Sequence, residues 1–479
     1  MFLGLDLGTS GLKGVLISDY QAIVDSASSS LRVSRPHEGW SEQDPANWIL
    51  AAETVFDELK SRRDLGLVRG IGLSGQMHGA TVIDAHNNVL RPCILWNDTR
   101  SSREASEMDE FEDWRRISGN IVFPGFTAPK LKWMQNHEPD LFSQIHKVLL
   151  PKDYLRLWLT GEYISDPSDS AGTSWLNTSM RDWSDDLLAL SDLDRGHMPD
   201  IVEGSAPGGN LRKDISSRWG FSPSIVVAGG GGDNAASGIG VGVVTVGQAF
   251  LSLGTSGVLF AARDTYSPAP ETAVHTFCHA VPNTWHQMGV ILAAADALNW
   301  FSRIAGKTPS DLTADLGPVS APGRALFLPY IGGERTPLND AKIRGAFVGL
   351  EHASDLKAAT KAVLEGVTFA FRDCRDALAS TGTKFDSLLA VGGGSNSDYW
   401  LRILATALNI RIDLPVDGDF GGAFGAARLA MMASETGDVE VAGRPKISRT
   451  IEPDPSLTSA YSAKHEQFKD AQAAIKELK

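Results

Sequence analysis

The sequence predicts an α/β protein made of two similar halves, and three observations support this. The chain has 479 residues, more than one hydrophobic core usually serves, so two large domains or several small ones are expected. Short apolar runs alternate with helical patterns, which is typical of layered α/β folds. The segment LDLGTSG at residues 5–11 returns as LSLGTSG at 251–257, as expected of a duplicated domain.

Each copy of this repeat predicts a β-hairpin. An alternating strand leads into a Gly-Thr-Ser-Gly turn, and a second strand follows at residues 15–17 or 258–260. A chance match is the alternative, because glycine-rich turns recur easily in unrelated sequences. The apolar alternation before each turn does not recur easily by chance, so it favours duplication.

Beyond the first hairpin, strands and helices alternate. The apolar runs fall at residues 68–73, 225–228 and 388–391, and the helical patterns at 356–379, 399–408 and 463–478. Loops rich in Gly, Pro or Ser are expected at 203–209 and 321–323, and the domain seam near 238–247.

Composition narrows the possible functions. Hydrophobic residues make up 42% of the chain, which is typical of globular proteins. The 44 Lys and Arg against 58 Asp and Glu give a net charge of −14, and this field repels phosphate backbones and anionic lipids. We therefore expect neither nucleic acid nor a membrane as a partner.

Cysteine usage and the N-terminal residues predict the compartment. The three cysteines lie far apart with no C-x-x-C spacing, so neither a disulfide framework nor a thiolate metal site is indicated. The chain opens without a basic start or a cleavage site, and no apolar run approaches a membrane span. A reducing compartment is expected, with the cytoplasm as the default.

The two repeated turns are candidate phosphate-binding sites. Backbone N–H groups of a glycine-rich turn can converge on an anion, and neighbouring hydroxyls add donors. This applies to Thr9 and Ser10 in the first turn and to Gly254 and Thr255 in the second, while Lys13 adds positive charge. Ordinary hairpins are the alternative for either turn alone.

A third glycine-rich element, VGGGSNSD at 391–398, joins a strand to the helix near Tyr399. Bare backbone there could accept a flat base or ribose, and Ser and Asn could bond to it or cap the helix. Turn and capping roles alone are the alternative. The G-x-G-x-x-G match at 70–75 is discounted, because a predicted strand follows it where a dinucleotide fold needs a helix.

Two carboxylates stand beside these turns. Asp6 interrupts an apolar strand, where its charge is costly unless paired; hydrated Mg²⁺ on ATP or hydrogen bonds from turn amides are the possible partners. Asp233 follows four glycines at a strand-to-helix junction, which suits a general base acting on a hydroxyl. An N-cap role for Asp233 is the alternative.

Candidate sugar contacts follow the strand at 68–73. Met77 and His78 lie in a tight loop, the place where α/β sheets hold ligands, although a lone His is more often a structural donor. Trp96 stands beside Asp98 and Arg100, a combination common at polyol sites and also in core packing.

Together these segments resemble the FGGY family of carbohydrate kinases, which belongs to the superfamily of actin, hexokinase and the heat-shock ATPases. Residues 2–13 and 250–257 resemble its two phosphate motifs, 391–399 its adenosine motif and 229–236 its catalytic segment. The resemblance implies two ribonuclease-H-like domains with a cleft between them. It divides the chain into an N-terminal domain at 1–242, a C-terminal domain at 243–436 and an extension at 437–479.

The resemblance also implies roles for the candidate residues. Asp233 would be the base, and Asp6 would serve catalysis by holding Mg²⁺ through water. The substrate contacts would be Met77, His78, Trp96, Asp233 and Asn234. The ATP contacts would be Thr9, Ser10, Lys13, Gly254, Thr255, Gly392, Gly393, Gly394 and Ser397.

Within the family, the sugar-side residues resemble those of members that phosphorylate D-xylulose at the expense of ATP. Glycerol-specific members have Arg-Glu where this chain has Met77-His78. A kinase for another ketopentose or polyol, a non-catalytic sugar-binding homologue and an actin-like polymerising ATPase are the alternatives. The fourth glycine in 229–232 departs mildly from the family pattern, and a homodimer is expected from the resemblance.

Overall fold

The structure is a computed structural model that describes residues 1–416, 420–436 and 438–477. The strands of its first half are β1 (Phe2–Leu7), β2 (Gly11–Ile17), β3 (Ile23–Ser30), β4 (Glu42–Gln43), β5 (Gly70–Gly75), β6 (Thr81–Ile83), β7 (Cys93–Ile94), β8 (Lys147–Leu149), β9 (Ile164–Ser165), β10 (Leu176–Asn177), β11 (Asp182–Trp183), β12 (Asp200–Ile201), β13 (Pro207–Asn210), β14 (Val226–Ala228) and β15 (Gly231–Gly232). Its helices are α1 (Pro45–Arg62), α2 (Ser102–Asp109), α3 (Glu112–Ser118), α4 (Thr127–His137), α5 (Pro139–Phe142), α6 (Pro151–Thr160), α7 (Pro167–Ser170), α8 (Asp185–Ala189), α9 (Lys213–Trp219) and α10 (Asp233–Gly240).

The second half begins after residues 241–248. Its strands are β16 (Ala249–Leu253), β17 (Gly257–Arg263), β18 (His275–Cys278), β19 (Trp285–Ile291), β20 (Leu326–Leu328), β21 (Ala346–Val348), β22 (Ser387–Val391), β23 (Arg411–Pro415) and β24 (Ile447–Ile451). Its helices are α11 (Ala295–Ala305), α12 (Pro309–Ala314), α13 (Leu356–Ser380), α14 (Asp398–Leu408), α15 (Gly422–Met431) and α16 (Thr458–Lys476). Helix α16 packs on α13, α14 and β20.

Both halves are built on a seven-stranded mixed sheet with the same central arrangement. The strand orders are β13-β14-β5-β1-β2-β3, with β15 also on β5, and β18-β19-β17-β16-β22-β23-β24. In each sheet the first strand lies between its antiparallel hairpin partner and a parallel strand: β1 between β2 and β5, and β16 between β17 and β22. The repeated hairpins therefore begin two equivalent sheets, which confirms the predicted α/β class and two-domain fold.

Helix α15 joins the two halves, because it lies between β23 and β24 of the second sheet in sequence but packs on β1 and β5 of the first. Glycines permit this close approach. A Cβ added to Gly72 would lie 1.8 Å from the carbonyl oxygen of Ala426, and one added to Gly425 would lie 1.7 Å from that of Ala236. Helices α10 and α15 and the central strands thus meet at one place.

Most predicted strands and helices are present, but the loop predicted at 203–209 is partly wrong. Strand β13 begins within it and pairs antiparallel with β14 at the sheet edge, where main-chain hydrogen bonds hold a Gly-rich segment that has no strand pattern of its own. The last helix begins at Thr458, earlier than predicted, and residue 478 of that prediction lies outside the described residues. Every helix within the described ranges is too short or too polar to cross a lipid bilayer.

Candidate active site

Asp6 lies at the centre of the first sheet between a cation and a hydroxyl. It is the cross-strand partner of Lys13 on β2 and of Ser74 on β5. The Ser74 hydroxyl donates a hydrogen bond of 2.8 Å to Asp6 Oδ1. Burial raises the pKa of Asp6, and Ser74 and the charge of Lys13 oppose that rise. The carboxylate interrupting this apolar strand is therefore paired within the fold.

Helix α15 begins directly over this carboxylate. A Cβ added to Gly422, its first residue, would lie 2.9 Å from Asp6 Oδ2 and 2.8 Å from the Ser74 hydroxyl. Only glycine leaves room for the helix here. Its N-terminal end favours a negative charge at Asp6 through the helix dipole.

Asp233 is the first residue of α10 and follows the glycine strand β15, as the sequence predicted. Strand β15 pairs with the end of β5, which places Asp233 close to Asp6. The backbone N–H and the side-chain amide of Asn234 both donate to Asp233 Oδ1, at 2.7 and 2.9 Å. These bonds fix one carboxylate oxygen and leave the other for a ligand.

The pKa of Asp233 is shifted towards neutrality. Burial raises it to about 7, the charge of Asp6 adds to the rise, and the hydrogen bonds from Asn234 oppose it. A carboxyl group with a pKa near 7 can accept a proton from a hydroxyl at neutral pH. Two interacting carboxyl groups with raised pKa values are also typical of catalytic sites.

Met77 and His78 lie beside the Asp233 turn. A Cβ added to Gly232, the residue before Asp233, would lie 2.9 Å from the Met77 sulfur. One added to Gly172 would lie 2.4 Å from the His78 ring and 3.0 Å from the Met77 methyl group. The structure therefore brings the predicted base and both predicted sugar contacts together.

The His78 ring is neutral and oriented. Burial lowers its pKa to about 3, and the ring stacks on Phe126 with centroids 4.5 Å apart. Its Nδ1 lies 2.7 Å from the carbonyl oxygen of Gly172. Because a carbonyl only accepts, Nδ1 carries the proton and Nε2 is left as an acceptor. His78 can thus accept a hydrogen bond from a ligand hydroxyl.

Trp96 is joined to Thr9 by a network that the sequence did not reveal. The Trp96 indole N–H donates to the Thr9 hydroxyl at 2.9 Å, and that hydroxyl donates to Gln76 Oε1 at 2.9 Å. Gln76 in turn donates to Gln43, whose amide donates to the Thr9 carbonyl at 2.8 Å. The network ties the first phosphate turn to the sugar-side loop. The Trp96 ring stays 43% exposed, so its face is open to a ligand.

Asp98 and Arg100, which the sequence placed beside Trp96, pair with each other. Arg100 Nη2 lies 2.7 Å from Asp98 Oδ2, and the backbone N–H of Ser41 donates to the same carboxylate. The guanidinium also lies 3.5 Å from the centroid of the Trp40 ring. Both side chains are buried, which assigns them to core packing.

The adenosine motif lies directly against the strand that precedes the second phosphate turn. A Cβ added to Gly392 would lie 2.9 Å from backbone atoms of Leu253, and one added to Gly394 would lie 2.9 Å from its Cβ. Gly393 has no atom within 4 Å of its Cβ position, so this part of the loop is open. Ser397 caps the N-terminus of α14.

The second phosphate turn is held by the start of α11. The backbone N–H groups of Ala294 and Ala295 donate to the carbonyl oxygens of Thr255 and Gly254, each at 2.9 Å. Thr255 and Ser10, in the equivalent first turn, are both exposed. The Ser10 and Thr255 hydroxyl groups therefore face the solvent, whereas the Thr9 hydroxyl is bonded to Trp96 and Gln76.

A cavity of about 440 Å³ lies between α10 and the adenosine motif, a volume typical of small-ligand sites. Its polar lining comes from both halves, namely Asn234, Ser237, Ser252, Ser395 and Asn396. Asn234, which the resemblance assigns to the sugar, thus stands between Asp233 and the adenosine motif.

The sequence analysis missed a buried charged cluster behind the Asp233 turn. Lys152 Nζ lies 2.5 Å from Asp153, 3.1 Å from Asp166 and 3.7 Å from Asp169, and all four side chains are fully buried. Burial and the neighbouring acids raise the pKa of Asp169 well above its ordinary value. The signal in the sequence was three acids and a lysine between apolar segments, where unpaired charges would be costly.

This cluster is linked to the Asp233 turn through Ser168. The Ser168 hydroxyl donates to Asp166 at 2.5 Å and accepts from the backbone N–H of Gly232 at 3.2 Å. Gly232 directly precedes Asp233. The cluster therefore fixes the backbone from which Asp233 projects.

Two family models match the chain over most of its length. The N-terminal domain of the FGGY family of carbohydrate kinases matches residues 1–240, and the C-terminal domain matches residues 249–434. The chain belongs to the FGGY family of carbohydrate kinases. It is therefore an ATP-dependent sugar kinase, as the resemblance implied.

Individual relatives agree with this assignment. The chain is 45% identical to the xylulose kinase of Escherichia coli K12 over 474 residues, 98% of each chain, and 34% identical to that of Bacillus subtilis over 440 residues, 90% of this chain and 88% of the relative. A crystal structure described as a "xyloylose kinase" from Brucella ovis shares 59% identity and a TM-score of 0.98 over both full chains. The gluconate kinase structure from Lactobacillus acidophilus, at 26% identity, has a TM-score of 0.92 and covers 99% of this chain and 97% of its own. The fold is thus shared by kinases of different substrates.

Proposed function

We propose that the protein transfers the γ-phosphoryl group of ATP to the C5 hydroxyl of D-xylulose, with Asp233 as the general base. The observation that carries the chemistry is a carboxyl group with a pKa of about 7, held at a strand-to-helix junction beside Met77 and His78. The substrate rests on the full-length similarity to the xylulose kinases of Escherichia coli and Klebsiella pneumoniae, at 45% and 44% identity.

In the proposed reaction Asp233 accepts the proton of the C5 hydroxyl. As the sugar oxygen bonds to the γ-phosphorus, the bond between that phosphorus and the oxygen bridging to ADP breaks. Such transfers depend mainly on positioning and on neutralising charge at the phosphoryl oxygens. We assign the second task to the turn amides and Lys13. The neutral His78 ring accepts a hydrogen bond from a sugar hydroxyl, and this bond orients the sugar towards Asp233.

Asp6 fits the role of a magnesium partner. Mg²⁺ bound to nucleotide phosphates keeps several waters and needs only one or two protein carboxylates. Asp6 supplies one such carboxylate, fixed by Ser74 and adjacent to the first phosphate turn. Bound Mg²⁺ would neutralise negative charge on the phosphate oxygens.

A panel of substrates tests the sugar assignment, because the gluconate kinase structure shows that the fold does not determine it. ADP release would be measured with Mg²⁺-ATP and D-xylulose, D-ribulose, L-ribulose, L-xylulose, gluconate, glycerol or no sugar. A clear preference for D-xylulose over a low sugar-free rate is expected. A preference for another polyol would overturn the assignment of D-xylulose as the substrate. A lack of sugar-dependent turnover would contradict the proposed kinase activity.

A further inference from the structure

The segment at 333–337 of the second half, Gly-Glu-Arg-Thr-Pro, is fixed to strand β19. The backbone N–H of Thr336 donates to the carbonyl of Val290 at 3.0 Å, and the Thr336 hydroxyl accepts from the N–H of Val290 at 3.0 Å. Glu334 accepts from the N–H groups of Leu292 and Arg335, at 2.9 and 2.7 Å. The backbone that carries Arg335 is therefore held in place before any ligand binds.

The Arg335 side chain reaches an aromatic cluster that includes His78 of the first half. Its guanidinium carbon lies 4.2 Å from the centroid of the Phe123 ring, and Nη1 lies 3.4 Å from His275 Nε2. Phe123 in turn contacts Phe126 at 5.3 Å, and Phe126 is the ring on which His78 stacks. Arg335 and His78 thus adjoin the same aromatic cluster, and the charge of Arg335 contributes to the lowered pKa of His78.

The charge of Arg335 is favoured by the neighbouring Glu334 but is not neutralised in an ion pair with it. In the part of the chain that the structure describes, its guanidinium forms no salt bridge. The neighbouring acid, Glu334, has its pKa raised to about 8 by burial and is mostly protonated at neutral pH. Burial lowers the pKa of Arg335 only to about 10, so it remains a cation. A half-buried cation of this kind is stabilised by polar ligand atoms.

The members of this cluster differ in their exposure to solvent. Phe123, Phe126 and His275 are at most 4% exposed, whereas His78 and Arg335 are half-buried. The order of residues along the site also follows from the contacts. Met77 and His78 adjoin the Asp233 turn, and Arg335 is linked to His78 through Phe123 and Phe126.

We infer that Arg335 is a substrate-binding residue that donates hydrogen bonds to the end of the sugar remote from the phosphorylated hydroxyl. The inference rests on the proposed function. With the C5 hydroxyl at Asp233 and the middle of the sugar at His78, the C1 hydroxyl and C2 carbonyl are the groups that face Arg335. Because Asp233 and Arg335 belong to different halves, residues on both sides of the cleft contact the sugar.

Steady-state kinetics with D-xylulose and 1-deoxy-D-xylulose test this inference. The wild-type protein is compared with Arg335→Met, with Arg335→Lys and with the control Arg344→Met, which changes an exposed arginine nearby in the chain. Loss of a hydrogen bond from a charged donor predicts a KM for D-xylulose that is about 10- to 100-fold higher in Arg335→Met, with the KM for ATP unchanged. The wild type should prefer D-xylulose over its 1-deoxy analogue, Arg335→Met should lose that preference, and Arg344→Met should keep it.

Several outcomes would overturn the inference. One is an Arg335→Met variant that retains the wild-type preference for the C1 hydroxyl. Another is an Arg335→Met variant that loses activity on both sugars equally together with thermal stability, as expected if Arg335 were structural. If Arg335→Met does not fold, Arg335→Lys decides, because it retains the charge and is expected to show a smaller loss of the same preference. A wild-type protein that does not phosphorylate D-xylulose would instead refute the proposed function, and the inference with it.

Discussion

The pH dependence of turnover is the property that the structure predicts most sharply. A general base must be ionised to accept a proton. An ordinary aspartate, with a pKa near 3.8, is fully ionised throughout the neutral range, so its rate would not change there. Asp233 has a pKa of about 7 because it is buried and lies near the charge of Asp6. Activity should therefore rise as the pH passes through 7.

The size of this rise follows from the ionised fraction. With a pKa of about 7, roughly 9% of Asp233 is ionised at pH 6 and roughly 91% at pH 8, so the rate should increase about tenfold between them. Titration of His78 does not change the rate in this range, because its pKa is about 3. The bonds from Asn234 to Asp233 oppose the shift, so Asn234→Ala should move the rise to higher pH.

The assay is the initial rate of ADP release with both substrates well below their KM, so that the profile reports the free enzyme. Measurements from pH 5 to 9 in buffers of constant ionic strength would define the rise of the rate with pH. A flat profile between pH 5.5 and 8 would refute the reasoning, because it would show that the base has an ordinary carboxyl pKa. An unmoved profile in Asn234→Ala would contradict the role assigned to its hydrogen bonds.

The remaining predictions concern single substitutions. Asp233→Asn should lower turnover by about 10²- to 10⁴-fold while calorimetry still detects sugar binding; normal turnover would exclude Asp233 as the base. The same variant should be more stable than the wild type above pH 7. Because the pKa of Asp233 is raised in the fold, its ionisation lowers the free energy of unfolding as the pH rises from 3.8 to about 7, by up to about 4 kcal/mol and less where water still reaches the carboxyl. Urea unfolding at pH 8 would measure this difference, and equal stability of the two proteins would contradict it. His78→Phe should raise the KM for the sugar about tenfold or more through loss of the Nε2 acceptor, and an unchanged KM would remove His78 from the sugar site. Gly422→Ala should lower both turnover and the melting temperature, because its Cβ would lie 2.9 Å from the Asp6 carboxylate. The control Gly393→Ala meets no atom within 4 Å and should fold normally. Equal melting temperatures for the two variants would argue against the close packing of α15.

The hairpins and the strand-to-helix junction at Asp233 could be predicted because their signals are local. Apolar alternation, a run of glycines and small helix formers each act within a few residues. The nearness of Asp6 to Asp233 could not be predicted in this way. It depends on the pairing of β1 with β5 and of β5 with β15, and these strands lie far apart in the sequence.

Long-range packing also explains what the sequence analysis missed. Nothing local to residues 422–431 shows that α15 returns to the first sheet, because Gly422 and Gly425 do not reveal which residues they approach, and Gly72 on the other side of the contact lies far away in the sequence. The sequence contains the acids and the lysine of the buried cluster, but their pairing depends on α6 meeting the start of α7. Trp96 and Thr9 were each singled out by sequence, but their direct hydrogen bond joins residues 87 positions apart.

The position of the phosphate on the product tests the central claim most directly. D-Xylulose labelled with ¹³C at C5 would be incubated with Mg²⁺-ATP and the protein, and the product examined by NMR for carbon–phosphorus coupling. The proposed site, with the C5 hydroxyl at Asp233, predicts coupling between phosphorus and the labelled carbon. A phosphate on C1, or a sugar that remains unphosphorylated while ATP is consumed, would contradict it.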